Sequence, residues 1–398
     1  MGKKYLLISM AYPPDKTSAG QHYDDLCNNL IERGHKVIVL TSREDYSENK
    51  TYPLWSKEKN KLVIRLPFSN VSKKNVAARL IGSLSFIFQG LFICLLLGKI
   101  NKIICTTTTP LTPLIGLWLK LIKRVPYIYW LMDLNPDQMV CLGKIKENGI
   151  IHKLSAKLQS KFVDSAEFTV VMDDYMKRRV QSYSKTANLI VIEPWPVFSS
   201  NETSLPDSNP YFSRWDTYGK IVVMYSGNHG ITSKVDKFLN IIGSVRNPIV
   251  EFVFVGGGVL FDKVERFSRF NKNVKAFPYV PIEDLHHSLA VADMHLVTID
   301  ERMIGINHPC KIYGVMEASR PVLFWGSKES NGGDLVVKNN LGWQFDVDDE
   351  VRIVEFLNSI QINDRHTYEQ MGVTGSRLVK QKFSRAALVA KLSNYIEQ

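Results

Sequence analysis

The stretch GINHPCKIYGVMEASRPVLFWG, from Gly305 to Gly326, holds the residues best suited to chemistry. His308 and Pro309 stand where a helix is expected to begin, proline being tolerated in a first turn, and Lys311 sets a cation just inside that start. Free helix N–H groups and one ammonium are what a departing pyrophosphate requires, because negative charge grows on it as its bond to carbon breaks. The bland alternative for Lys311 is a solvated surface lysine; for Glu317, nearly two turns on, it is an exposed helix carboxylate. A second candidate is YSGNHG, Tyr225–Gly230, where Gly227 lets the chain turn tightly after an apolar run and bring backbone N–H groups to a phosphate. An ordinary strand-to-helix turn reads the same way. VGGG, Val255–Gly258, centres on Gly257 and offers Gly256 and Gly258 as the first glycines of a dinucleotide fingerprint, but Phe261 takes the third place. That counts against a nicotinamide cofactor. Asp133 ends another apolar run before Leu-Asn-Pro-Asp, where a carboxylate could accept from a sugar or acceptor hydroxyl, or simply cap a helix or an Asx turn.

Other chemistries lack their residues. There is no H-E-x-x-H, G-x-S-x-G or Walker sequence, and Cys27, Cys94, Cys105, Cys141 and Cys310 stand singly, away from zinc spacing. The D-x-D at Asp346–Asp348 falls in an acidic turn before a late helix and is read as surface, so neither a metal site nor a cofactor is expected. The unpaired cysteines suit a reducing cytoplasm.

These loops need strands to position them. Short apolar runs at Tyr5–Met10, Lys36–Leu40, Leu62–Leu66, Lys102–Cys105, Tyr127–Leu131, Phe168–Val171 and Leu189–Ile192 alternate with helical stretches, as in a parallel sheet covered on both faces. The rhythm restarts at Ile221–Tyr225, Ile249–Val255, Val274–Phe277, His295–Ile299 and Pro321–Trp325. The fold class is therefore α/β, with two Rossmann-like, doubly wound domains facing a cleft, and ligands belong at the carboxyl ends of the strands. The boundaries expected are a first domain over 1–198, a polar linker over 199–217, a second domain over 218–375 and a C-terminal amphipathic helix over 376–398, free to return to the first domain. The run Tyr5–Tyr12 is too short before Pro-Pro for a signal peptide and is read as the first strand.

The 50 basic and 39 acidic residues leave +11, and all of that excess lies in residues 1–200, which hold 28 basic and 16 acidic side chains. No aromatic-basic motif accompanies the charge, so a membrane surface or a phosphorylated substrate is expected and nucleic acid is not. Leu80–Gly98 is uncharged between Arg79 and Lys99, near the length of a membrane span. Its glycines, serines and Gln89 weaken it as a span. A helix lying in the interface is favoured, with a core helix the close competitor.

In order and spacing, YPPDKTSAG, DLNPDQ from Asp133, VVMDDYMKRRV, YSGN, FVFVGGG, LAVADMHLVTI and HPCKIYGVMEASRPVLF resemble the GT-B glycosyltransferases of the group 1, family 4 type, over essentially the whole chain. The resemblance implies retaining transfer from a nucleotide-diphosphate sugar, a UDP-sugar first among them, with the acceptor on the first domain and the donor on the second. Gly20 would lie beside the diphosphate, Gly227, Asn228, Gly257, His308 and Pro309 would contact the donor, and Lys311 would hold the phosphates. Many members carry two glutamates eight apart; the matching positions here are Ile306 and Gly314, so Glu317 is offered for the ribose. The apolar segment resembles members that act on lipid-linked glycans at the cytoplasmic face of a membrane, in polysaccharide or cell-surface glycan synthesis. A sugar-nucleotide epimerase of the same fold and a non-catalytic membrane-bound scaffold are the alternatives.

Overall fold

The computed structural model describes residues 2–15, 17–44, 50–69, 76–199 and 209–398. The chain divides into two compact units, one comprising 1–193 with 305–307 and 386–398, the other 194–304 with 308–385.

The first unit is built on β1 (Lys4–Ile8), β2 (Lys36–Ser42), β3 (Trp55–Glu58), β4 (Lys61–Leu66), β5 (Lys102–Thr106), β6 (Tyr127–Trp130), β7 (Thr169–Val171) and β8 (Leu189–Val191). Their order is β3-β4-β2-β1-β5-β6-β7-β8, parallel throughout except for β3 against β4. Strands such as Tyr5–Ile8 and Val37–Leu40 are apolar without a break because both faces are covered. The helices are α1 (Ser18–Glu32), α2 (Val76–Leu96), α3 (Pro113–Lys123), α4 (Asn135–Cys141), α5 (Ile150–Ser165) and α6 (Asp174–Tyr183). The order reverses between β1 and β5, so the loops after these strands flank the point where such sheets bind ligands.

The uncharged segment falls largely within α2. Its inner face buries Phe86, Ile87 and Cys94, and a side chain at Gly90 would come 2.7 Å from Ile115 Cδ1, so the glycines that weaken a span serve close helix packing. Its other face leaves Leu84, Phe88, Phe92 and Leu95 exposed. Among the described residues no helix is long and apolar enough to cross a membrane.

The second unit contains α7 (Pro210–Arg214), β9 (Ile221–Asn228), α8 (Val235–Ser244), β10 (Val250–Gly257), α9 (Phe261–Ser268), β11 (Val274–Phe277), α10 (Leu285–Ala290) and β12 (Met294–Thr298). It continues with α11 (Lys311–Glu317), β13 (Val322–Trp325), α12 (Asn331–Lys338), β14 (Gly342–Phe345), α13 (Glu350–Ser359) and α14 (Arg365–Leu378), while α15 (Arg385–Glu397) belongs with the first unit from residue 386 on. The strands run β11-β10-β9-β12-β13-β14, all parallel, with the switch between β9 and β12.

Two expectations need correction. Residues 209–217 are no linker: Tyr211, Phe212 and Trp215 are buried in a core with Val222, Met224 and Val253, and Trp215 stacks on Phe277 at 5.0 Å. The polar stretch 200–208 that prompted the linker reading lies outside the described residues. The C-terminal helix does not run unbroken from 376, because a wide π turn over Val379–Phe383 and a break at Ser384 separate α14 from α15. Only 386–398 groups with the first unit, where Arg33 meets Glu397 at 3.0 Å, His35 meets it at 2.7 Å and Ser393 donates to Asn29 at 2.8 Å.

Candidate functional site

At the switch point of the second sheet, parallel pairing sets Gly256 opposite Gly227 and Gly257 opposite Asn228. Gly227, Gly256 and Gly258 have φ of 119°, 143° and 120°, in the region side chains disfavour. A methyl at Gly256 would come 2.0 Å from the Gly227 carbonyl oxygen, and one at Gly258 would come 2.3 Å from Asn228 Oδ1. The result is a shelf of bare backbone. The conformationally demanding glycines are therefore the two that flank Gly257. Gly257 itself lies under the Tyr279 ring, and its carbonyl accepts from His229 N–H at 2.7 Å.

Lys311 opens α11, and its ammonium reaches back over this shelf. The ammonium sits 3.4 Å from the centre of the Tyr225 ring and 3.6 Å from where a Gly227 methyl would lie. The side chain is only partly buried, yet the ammonium atom is sealed and has no hydrogen-bond partner among the described residues. Burial brings its pKa down to about 7. Lys234, in the loop after β9, contrasts with it: that ammonium is 3.7 Å from Asp300 Oδ1. His229 is fully buried, with its ring 4.8 Å from Tyr225. Its Nε2 has no partner among the described residues, and burial, reinforced by Lys311, holds its pKa down at about 4. A neutral imidazole avoids a second positive charge beside the first.

The helix start is different from the one expected. His308 and Pro309 precede α11 rather than opening it, and Cys310 is its cap. The N–H groups of Cys310, Ile312 and Tyr313 already donate to His308, Pro309 and Cys310 carbonyls at 2.8, 3.1 and 3.2 Å. With these three amides taken, an anion here would rest chiefly on the Lys311 side chain and the glycine shelf. His308 is buried, its Nε2 3.1 Å from the Tyr313 hydroxyl, and Glu317 is buried at the far end of α11.

Asp133 and Gly20 belong to the first unit. Asp133 follows β6, pairs by backbone with Asn307, and has its pKa raised to about 6 by burial. Its N–H and that of Met132 both donate to Thr107 Oγ1, at 3.2 and 3.0 Å. Thr108, next along, accepts from Met10 N–H at 2.9 Å and so ties in the loop after β1. This threonine run, TTTT at 106–109, carries no motif signal, and sequence reasoning passed it over. Asp137, by contrast, is structural: Arg179 and the Tyr183 hydroxyl from α6 hold it. Gly20 lies in α1, where a methyl would meet Thr17 Oγ1 at 3.0 Å and Tyr12 Cα at 3.4 Å. Thus Gly227, Asn228, Gly257 and Lys311 come together in the second unit, while Asp133 and Gly20 line loops of the first. No cluster of His, Cys, Asp and Glu able to hold a metal occurs among the described residues.

No family model matches the sequence. It is similar to WbjE of Pseudomonas aeruginosa, described as a probable glycosyltransferase, at 25% identity over 369 residues, or 90% of this chain and 89% of that one. WcaI of Escherichia coli K12, a putative colanic acid biosynthesis glycosyl transferase, is 21% identical over 346 residues, 79% of this chain and 81% of that one. Among solved structures, sucrose-phosphate synthase of Thermosynechococcus elongatus superposes with a TM-score of 0.78 at 13% identity, over 100% of this chain and 98% of that one. HepE of Anabaena in complex with UDP-glucose gives 0.72 at 12% identity, with 99% of each chain covered. WaaG, a glycosyltransferase involved in lipopolysaccharide biosynthesis, gives 0.66 at 14% identity, over 98% of this chain and 99% of that one. With two parallel, doubly wound sheets and these neighbours, the chain has the GT-B fold.

Proposed function

We propose that the chain is a glycosyltransferase of the group 1, family 4 type that moves a sugar from a nucleotide-diphosphate donor to a lipid-linked or other membrane glycan. The observation that carries this reading is the Lys311 ammonium, sealed over Tyr225 beside the Gly227–Gly256 shelf with no acid to answer it among the described residues. A buried cation without a partner is costly, and a diphosphate would satisfy it. The similarity to WbjE and WcaI supports sugar transfer in bacterial polysaccharide synthesis, and the UDP-glucose held by HepE makes a UDP-sugar the first donor to try.

In this mechanism the bond between the anomeric carbon and the diphosphate oxygen breaks while Lys311 neutralises the charge that develops on the leaving group. The acceptor hydroxyl oxygen forms the new bond on the same face, giving retention, and its proton passes to the departing diphosphate. Asp133 accepts a hydrogen bond that orients the incoming hydroxyl. Asn228 and the backbone around Gly257 and His308–Pro309 line the donor's path and Glu317 takes the ribose hydroxyls, while the place of Gly20 beside the diphosphate rests on the family resemblance alone. No metal is required. The exposed face of α2 rests on the membrane surface, which makes the protein peripheral on the cytoplasmic side.

A thermal-shift panel of UDP-, GDP- and ADP-sugars tests the donor, since a ligand at 100 times its Kd adds about 2.7 kcal/mol. One nucleotide series should stabilise the protein, and Lys311→Ala should remove that shift and lower kcat for transfer. Wild-type protein that no nucleotide sugar stabilises, or a Lys311→Ala variant with unchanged kcat and only a higher KM, would overturn the mechanism.

A further inference from the structure

The exposed apolar surface of the first unit does not stop at α2. α3 packs beside it, with the Lys123 ammonium donating to the Cys94, Leu95 and Leu97 carbonyls at 2.9 Å each. α5 packs beside α3 in turn, meeting it at its last turn, where Lys120 donates to the Ser165 carbonyl at 2.7 Å, so that its first turn lies about 22 Å further along the layer. Each helix carries large apolar side chains that none of the described residues covers. α3 ends on Leu121, 79% exposed, and Ile122. α5 begins with Ile150, 87% exposed, Ile151 and Leu154, while Gln159, Phe162 and Val163 on another side of the same helix are buried. Three apolar side chains in one exposed turn give α5 no packing benefit in the folded chain.

Charge says what should cover this surface. Across α2, α3 and α5 the sequence holds a single acid, Asp164, against Arg79, Lys120, Lys123, Lys153, Lys157 and Lys161. A protein partner of mixed charge would face mixed charge. A surface of apolar side chains set among cations of one sign matches acyl chains beneath phosphate headgroups. At 1.5 Å per residue α2 alone is about 30 Å long, enough to set a direction on a bilayer, but one helix fixes only one axis. A second contact off that axis fixes the tilt.

We propose that α2, the end of α3 and the first turn of α5 form one seat for an anionic bilayer, with Ile150, Ile151 and Leu154 a membrane contact separate from α2. This rests on the membrane placement proposed above and extends it to a helix outside the uncharged segment. The seat fixes the tilt of the first unit on the bilayer, so that the loops after β5 and β6 keep a constant height above the headgroups.

The test uses the full chain in flotation with phosphatidylcholine vesicles, with and without phosphatidylglycerol. Wild type is expected to float with the anionic vesicles. Ile150→Ser, Ile151→Ser and Leu154→Ser combined should weaken partition by about tenfold with α2 intact, as loss of three partly inserted side chains implies. These positions are exposed, so circular dichroism should show the variant folded. A variant that floats as wild type does would overturn the α5 contact while leaving α2 in place, provided Phe88→Ser with Phe92→Ser abolishes flotation. Wild-type protein that stays with the aqueous phase would instead remove the membrane placement itself. A change from dimer to monomer in the α5 variant, with flotation unchanged, would assign the turn to a second copy of the chain and overturn the proposal.

Discussion

If Lys311 holds the donor diphosphate, donor affinity must depend on pH near neutrality, an unusual property for a lysine. Its ammonium is sealed on the Tyr225 ring with no carboxylate of the described residues beside it, and burial lowers its pKa from 10.5 to about 7. The charged form binds the anion, so affinity is full below that pKa and falls as pH rises through it. From pH 6 to pH 8.5 the protonated fraction drops from roughly 0.9 to roughly 0.03, which predicts about a 30-fold loss in affinity. A UDP-sugar is the right probe because its diphosphate diester does not titrate in this range, whereas free UDP does. Stability carries the opposite signature. Between about pH 7 and about 10.4 the unfolded chain holds a proton that the folded chain has released, so stability rises with pH across that window, at about 1.4 kcal/mol per unit. Lys311→Met removes both effects: at pH 7 it should melt several degrees higher, by on the order of 3 kcal/mol after allowing for the lost ring contact, and bind no donor. Calorimetric titration across pH and melting curves of both proteins decide the matter. A flat affinity from pH 6 to 8.5, or a variant that melts lower than wild type, would show that Lys311 is an ordinary charged lysine and refute the reasoning.

Asp133, raised to about 6, should impose an acid limb on kcat/KM, activity falling below that pH as the carboxylate protonates; Asp133→Asn should lose the limb along with most of kcat. Turnover should survive EDTA, and a loss restored by Mg²⁺ or Mn²⁺ would reassign the acidic turn at Asp346–Asp348. Gly256→Ala should cost both stability and donor binding, because its methyl would meet the Gly227 carbonyl oxygen at 2.0 Å with φ at 143°; a variant with wild-type melting and affinity would show that the shelf tolerates filling.

The central strands could be read in the sequence because burial on both faces leaves a run with no polar interruption, as in Tyr5–Ile8 and Phe252–Val255. The edges could not. β3, Trp55–Glu58, is mostly exposed and among the described strands pairs with β4 alone, so no apolar pattern marks it, and Gly342–Phe345 is a part-buried edge of the second sheet. Composition misled at 209–217, where Asn, Pro, Ser and Asp surround the aromatic residues that go into the core. Polar neighbours diluted the signal from Tyr211, Phe212 and Trp215. The C-terminal break failed for a related reason: the π turn keeps Val379 and Phe383 buried, so the apolar spacing passes through it almost unchanged.

The site shows the same division between what is local and what is not. Gly227 and Lys311 announce themselves because a tight turn and a cation are properties of a short stretch of chain. What turns Lys311 from a solvated lysine into a candidate anion site is non-local: the Tyr225 ring 86 residues earlier, the sealing of its ammonium and the absence of an acid. Lys234 shows how little the local sequence settles, for it too follows β9 at the switch point, yet Asp300 lies beside its ammonium. The expected contribution of the helix start fails on the same ground. Proline before a helix predicts unpaired amides ahead of it, but the turn at His308–Cys310 folds its carbonyls back onto the amides of Cys310, Ile312 and Tyr313, a pairing that no local sequence pattern announces. The phosphate chemistry proposed here therefore depends on one side chain and a strip of glycine backbone, which is why Lys311→Met and Gly256→Ala should separate its electrostatic part from its steric part.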